Sequence, residues 1–234
     1  MGRAIFPGWY VSVPPRIKSC IIGIPGRGHT GFMIGEWYNT LQLEETLIVG
    51  ITPEGRCWYP MPNGPFDQEE ALAGMMGSVQ SINQTIVEIQ GIYGLKKEQI
   101  ALVGFSAGAV MAMQVAAHSD EAFAAVVSHG GAILDPTSFP ARKHETPFIL
   151  QHNADDDAFE WEERFLPTKE TLSTNQYNLS LILRQNGGHT VRFDDVLLAM
   201  KLIQHRLGYP KKYIERRFPS KMATAMSRAI IHYK

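Results

Sequence analysis

Along this chain short apolar runs alternate with longer stretches in which apolar residues return every three or four positions. The runs Tyr10 to Val13, Cys20 to Ile24, Thr46 to Thr52, Gln99 to Gly104, Ala124 to His129, Pro147 to His152 and Asn178 to Leu183 have the length of strands. Between them, Gln68 to Ile92 places Leu72, Met75, Val79, Ile82, Ile86 and Ile89 on one helical stripe, and Val191 to Leu207 does the same with Phe193, Val196, Leu197, Met200, Ile203 and Leu207. Ala109 to Ala117 is a third helix-prone stretch. Alternation of this kind predicts an α/β fold, a mostly parallel central sheet flanked by helices. Pro53 to Asp67, with four prolines and the aromatics Trp58, Tyr59 and Phe66, reads instead as a loop with large apolar side chains, the kind that borders a site.

The chain has 234 residues, enough for one substantial domain, and 44% hydrophobic with 19% charged residues is ordinary globular composition. A net charge of −1 and the lack of basic stretches interleaved with aromatics give no reason to expect a nucleic-acid partner. Met1 to Tyr10 has no leader-like pattern and no apolar run approaches membrane-spanning length, so a cytoplasmic location is expected. Cys20 and Cys57 fit a reducing compartment. The charge is uneven, however: residues 209 to 234 hold seven Lys or Arg against Glu215 alone. Gly208-Tyr209-Pro210 breaks the preceding helix, which divides the chain into a domain over 1–208 and a basic extension over 209–234. From Ser220, Met222, Met226, Ala229, Ile230 and Tyr233 would share one face of an amphipathic helix. That face needs a cover: its own domain, a second subunit in a homodimer, or an anionic membrane surface.

The chemistry concentrates in Gly104-Phe105-Ser106-Ala107-Gly108, set between a strand and a helix. A serine can be presented at a strand end only by a turn so tight that its flanking positions must be nearly free of side chain, which accounts for both glycines. The turn also aims the Ala107 N–H at the place where an oxyanion would form. A serine hydroxyl needs a base, and Gly187-Gly188-His189 supplies one on a Gly-rich loop after the last strand. The acid belongs at the end of the strand before, where Asp155, Asp156 and Asp157 follow one another; composition does not rank them, and Asp135 is a weaker alternative. His29, His129 and His152 stand at strand ends where they could line the site. Pro25-Gly26-Arg27-Gly28-His29-Thr30-Gly31 provides a second oxyanion loop. Its glycines also match the loose dinucleotide pattern, yet no acidic residue ends the next strand as that function requires.

In this order the four segments, 25 to 31, 104 to 108, 152 to 157 and 187 to 189, resemble the small carboxylesterase/phospholipase family of α/β-hydrolases, which includes the acyl-protein thioesterases. The resemblance runs from about residue 18 to 207. It implies an α/β-hydrolase fold with no large separate lid, and nominates Ser106, Asp156 and His189 as a catalytic triad with the backbone N–H groups of Arg27 and Ala107 as oxyanion donors. Pro25, His29 and Ala107 depart from the family's usual residues, which touches substrate identity more than mechanism. The expected activity is hydrolysis of small to medium acyl esters through an acyl-serine, with no metal and no cofactor. Long-chain acyl-protein thioesterase or lysophospholipase activity, or a non-catalytic binding protein on the same scaffold, are the alternatives. His29, Trp58, Tyr59, Phe66 and Trp161 are the candidate pocket residues.

Overall fold

The structure is a computed structural model that describes residues 10–60 and 68–233. Each apolar run becomes a strand: β1 Tyr10–Ser12, β2 Ser19–Ile24, β3 Thr46–Gly50, β4 Ile100–Phe105, β5 Ala125–His129, β6 Pro147–Asn153 and β7 Asn178–Arg184. An eighth, β8 Ile230–Tyr233, completes one sheet of order β1-β3-β2-β4-β5-β6-β7-β8. Neighbours from β3 through β7 run parallel, and β1 and β8 close the two edges antiparallel. Every residue of β2, β3, β4 and β5 is buried, because helices cover both faces of the sheet and leave no place for the polar half of an alternating strand.

Those helices are α1 Gly31–Asn39, α2 Gln68–Tyr93, α3 Ala107–Ala117, α4 Leu166–Thr174, α5 Phe193–Ile203, α6 Tyr213–Arg217 and α7 Pro219–Ser227. The stripe Met75, Val79, Ile82, Ile86 and Ile89 of α2 packs with α3 on alternate strand residues such as Cys20, Ile22, Ile24 and Leu102. The intervening strand residues, among them Ile21, Ile48, Val103 and Val127, face α1, α5, α6 and α7. Chain direction follows from this layering. After β2 the chain crosses outward through α1 to β3, then returns through α2 on the other face to β4, which lies beside β2. The loops leaving β2 and β4 therefore diverge at their carboxyl ends, the crevice where α/β sheets bind ligands. The segment 25 to 30 and the Ser106 turn meet there.

Residues 209–233 dock on their own domain, the first of the three covers considered for them. The Tyr209 hydroxyl bonds the Thr46 hydroxyl at 2.8 Å and accepts from the Glu45 amide at 3.2 Å. Ile214, Met222 and Ala225 are buried with the α5 face. The amphipathic helix expected from Ser220 through Tyr233 is corrected: α7 ends at Ser227, Met226 is exposed, and Ile230–Tyr233 pair as a strand with Ser180 to Leu183. Without β8, the β7 edge would offer a row of unpaired backbone groups, and that long-range demand outweighs local helical periodicity.

Candidate active site

Ser106 sits between β4 and α3 with φ 55° and ψ −125°, a backbone conformation that a residue with a side chain adopts only when its surroundings impose it. The surroundings are legible atom by atom. A Cβ on Gly104 would run into the backbone of Gly108 and Ala109, and one on Gly108 into the carbonyls of Ile24 and Pro25. The Ser106 amide donates to the His129 carbonyl at 3.0 Å, so the turn is pinned to β5 while the side chain faces outward. Strain of this kind costs on the order of 1–3 kcal/mol and is carried by the fully buried strand and helix on either side.

His189 arrives on the loop after β7. Its Nδ1 lies 2.9 and 3.0 Å from the two carboxylate oxygens of Asp156, which is 4% exposed at the end of β6. Burial alone would push the Asp156 carboxyl up. The hydrogen bond from His189, the amides of Phe159 and Ala158, and the His189 charge together hold it below its ordinary value. An ionised carboxylate only accepts, so Nδ1 carries the proton between the two side chains, an assignment that follows from the hydrogen-bond network. Phe105 stacks under the His189 ring at 4.9 Å and 28°. Gly130, at φ 55°, leaves room for the pair, since a Cβ there would stand 3.3 Å from the Asp156 carboxylate and 3.5 Å from the imidazole.

The three consecutive aspartates thus separate by partner. Asp156 holds His189; Asp155 accepts from the amides of Gly187 and Gly188 at 3.1 and 2.8 Å; Asp157 is exposed. Asn153 braces the same loop from inside, donating to the carbonyls of Gly188 and Thr190 at 2.8 and 3.1 Å. Neither loop-holding role was expected from the sequence, because each depends on where Gly187 and Gly188 turn. Arg184, at the end of β7, makes a 2.5 Å bond to Asp195 of α5 and donates at 2.9 Å to the Arg228 carbonyl, which fixes the root of the loop.

Ser106, Ala107, His189, Arg27, Tyr59, Leu134, Ala158, Phe159 and Arg164 surround one cavity of about 360 Å³. The amides of two of these residues, Arg27 and Ala107, donate no hydrogen bond to another described residue. Tyr59 lines the cavity. Trp58 does not: it is buried beneath the loop, where its indole N–H donates to the Pro25 carbonyl at 2.7 Å and so braces the segment that carries Arg27. Trp161 packs instead on Phe165 and His152, with ring centroids at 4.5 and 5.9 Å. His29 is exposed outside the cavity, 6.3 Å from the Phe105 ring, and Phe66 lies outside the described residues. His129 and His152 are buried away from the cavity. His129 is held between the Tyr38 hydroxyl and Gln151, and burial brings its pKa down to about 4. Leu134, Phe159 and Arg164 went unnoticed in the sequence; Leu134 and Phe159 come from irregular segments and Arg164 from a single π-helical turn, none of which shows periodicity, and only the fold brings them to the cavity.

Among the described residues no three His, Cys, Asp or Glu side chains are grouped as a metal site requires, and no helix is long and apolar enough to cross a membrane. The sheet order, the crevice position and the strained serine turn define an α/β-hydrolase, and no insertion among the described residues forms a separate lid. Residues 47–204 match the phospholipase/carboxylesterase family profile, and the chain belongs to that family. Solved structures share its fold. Esterase PE8 is 21% identical with a TM-score of 0.75, covering 85% of this chain and 97% of its own. A phospholipase/carboxylesterase from Dyadobacter fermentans is 20% identical with a TM-score of 0.70, covering 86% and 100%. Arabidopsis thaliana SOBER1 is 17% identical with a TM-score of 0.66, covering 81% and 99%. No curated protein matches the chain in sequence.

Proposed function

We propose that this protein is a serine carboxylesterase that hydrolyses small to medium acyl esters through an acyl-Ser106 intermediate. The observation that carries the reading is that Ser106 and an Asp156-bonded His189 line the same cavity. His189 Nε2 takes the hydroxyl proton as Oγ attacks the ester carbonyl, and the Arg27 and Ala107 amides receive the developing oxyanion. The C–O bond to the alcohol then breaks, and the alcohol leaves with the proton from Nε2. Water, deprotonated by the same nitrogen, attacks the acyl carbon; the acid departs and Ser106 regains its proton.

A cavity of about 360 Å³ lies at the small end of the range for ligand sites, which favours short acyl groups over the long-chain thioester or lysophospholipid alternatives. The pairing of Asp156 with His189 in the correct tautomer argues against the binding-protein alternative, for which that pairing has no use. Covalent labelling with a fluorophosphonate, located by peptide mass spectrometry, tests the reading. Label on Ser106 and none in Ser106→Ala is the expected result, together with faster turnover of acetyl and butyryl than of palmitoyl p-nitrophenyl esters. An unlabelled wild-type protein would overturn it.

A further inference from the structure

Among the described residues the cavity wall carries two cations and no anion. Arg27 comes from the loop after β2 and Arg164 from the single π-helical turn Trp161–Phe165 that precedes α4. No described Asp or Glu lines the cavity; Asp156 lies buried behind His189, with its oxygens taken by His189, Ala158 and Phe159. Among the described residues neither guanidinium makes a hydrogen bond or an ion pair, although Arg164 is half-buried. The contrast with Arg184 is direct, since its guanidinium is matched to Asp195 at 2.5 Å.

The two charges converge. Burial pushes the Tyr59 hydroxyl up and Cys57 adds to this, while Arg164 and Arg27 both pull it down, so both cations act on one side chain of the cavity wall. The acidic group that feels Arg164 is Glu160, one turn earlier; it is exposed and shares a hydrogen bond with Glu163 that raises its own pKa. Glu160 does not line the cavity. A half-buried, unpaired guanidinium facing an apolar pocket is costly to hold unless something anionic comes to it, and its planar fork matches the oxygens of carboxylate or phosphate.

We propose that Arg27 and Arg164 form a subsite for an anionic group of the substrate, a carboxylate or phosphate, and that the preferred ester carries this group within a few bonds of the reacting carbonyl. The inference rests on the esterase reading, because it is the position of Ser106 that makes the bound molecule a substrate. Arg27 sets the spacing: its amide is the oxyanion donor and its side chain rises from the same residue.

The test is calorimetric titration of the full-length Ser106→Ala protein with monomethyl glutarate, with its neutral counterpart dimethyl glutarate, and with an acetyl ester of glycerol phosphate. At least one anionic ester is expected to bind about tenfold or more tighter than the neutral one, and which of the two does so identifies the anion. Arg164→Gln and Arg27→Gln, each added to Ser106→Ala, should reduce that preference to within about twofold, and raising the salt should erode it. Equal binding of neutral and anionic esters, or a preference that survives both substitutions, overturns the subsite. Wild-type turnover of the same three esters is read separately: binding preference without hydrolysis would sink the esterase reading and leave the anion subsite standing.

Discussion

At the carboxyl ends of β4 and β6 part of the chain is held by contacts within a few residues of each turn: Gly104 against Gly108, and Asp156 against the Ala158 and Phe159 amides. At the β7 edge, residues 209–233 are held by contacts far away in sequence, Tyr209 to Thr46, Arg228 to Arg184, and β8 to β7. The first kind of structure has its constraint written beside it, as a glycine where a Cβ cannot fit. The second has no local mark, because its partner lies elsewhere in the chain. The two regions are joined, since Arg184 roots the His189 loop on one side and donates to the Arg228 carbonyl on the other.

The largest effects should come from the serine rim. Ser106→Ala and His189→Ala are each expected to lower kcat by on the order of 10⁶, and Asp156→Asn by roughly 10⁴ through the wrong imidazole tautomer. Melting temperatures within a few degrees of the parent would show that only chemistry was lost. If Asp156→Asn is mild while Asp157→Asn is damaging, the partner assignment fails.

Deleting residues 209–234 should act in the opposite way. Read from the sequence as a separable basic extension, this segment would be dispensable for activity. The structure changes the expected result, because Tyr209, Ile214, Met222 and Ala225 would leave the α5 face exposed and the β7 edge open. A protein truncated after Gly208 is expected to be insoluble or to melt far below the parent. A truncated protein with parental stability and full esterase activity would restore the two-part division of the chain.

His129 lies beneath the serine rim. Burial depresses its pKa to about 4 against the Asp195 charge and the Gln151 bond, which act the other way, whereas the unfolded chain titrates near 6.5. Between those values the unfolded state binds the proton and the folded state does not, so stability is full above about pH 6.5 and falls as the pH drops towards 4. The span is worth about 3 kcal/mol from this residue. The Asp156 carboxyl, held low, adds its own loss only at pH below the ordinary aspartate range. Denaturant midpoints at pH 7 and 4.5 read the slope, and His129→Gln should flatten it. An unchanged slope in the variant would locate the sensitivity elsewhere.

What the sequence disclosed follows the same division. The strands and the α2 stripe were readable because burial on both faces leaves continuous apolar runs and a helix packed on one side leaves a period. The turns that carry Ser106 and His189 were readable because a tight turn demands glycine. Missing from the pattern were α1 and α4, the pocket residues Leu134, Phe159 and Arg164, and β8. Trp58 misled for a physical reason: a large aromatic on a loop looks the same whether it faces a cavity or props the loop from below, and the Pro25 carbonyl decides.

The smallest expected effect probes the seam between local and distant control. Asp155 is fully exposed, yet its carboxylate accepts two loop amides, and these bonds hold its carboxyl below the ordinary value, led by Gly188. Removing them in Asp155→Ala should let the Gly187-Gly188 turn wander while Arg184 still anchors its root, so His189 is displaced for part of the time and not lost. A displacement of this kind is expected to cost on the order of tenfold in kcat, with KM and melting temperature near parental. Asp157→Ala, which removes an exposed carboxylate with no loop to hold, is the control and should be silent. Should Asp155→Ala match that control, the loop is positioned without Asp155, by Asn153 and Arg184.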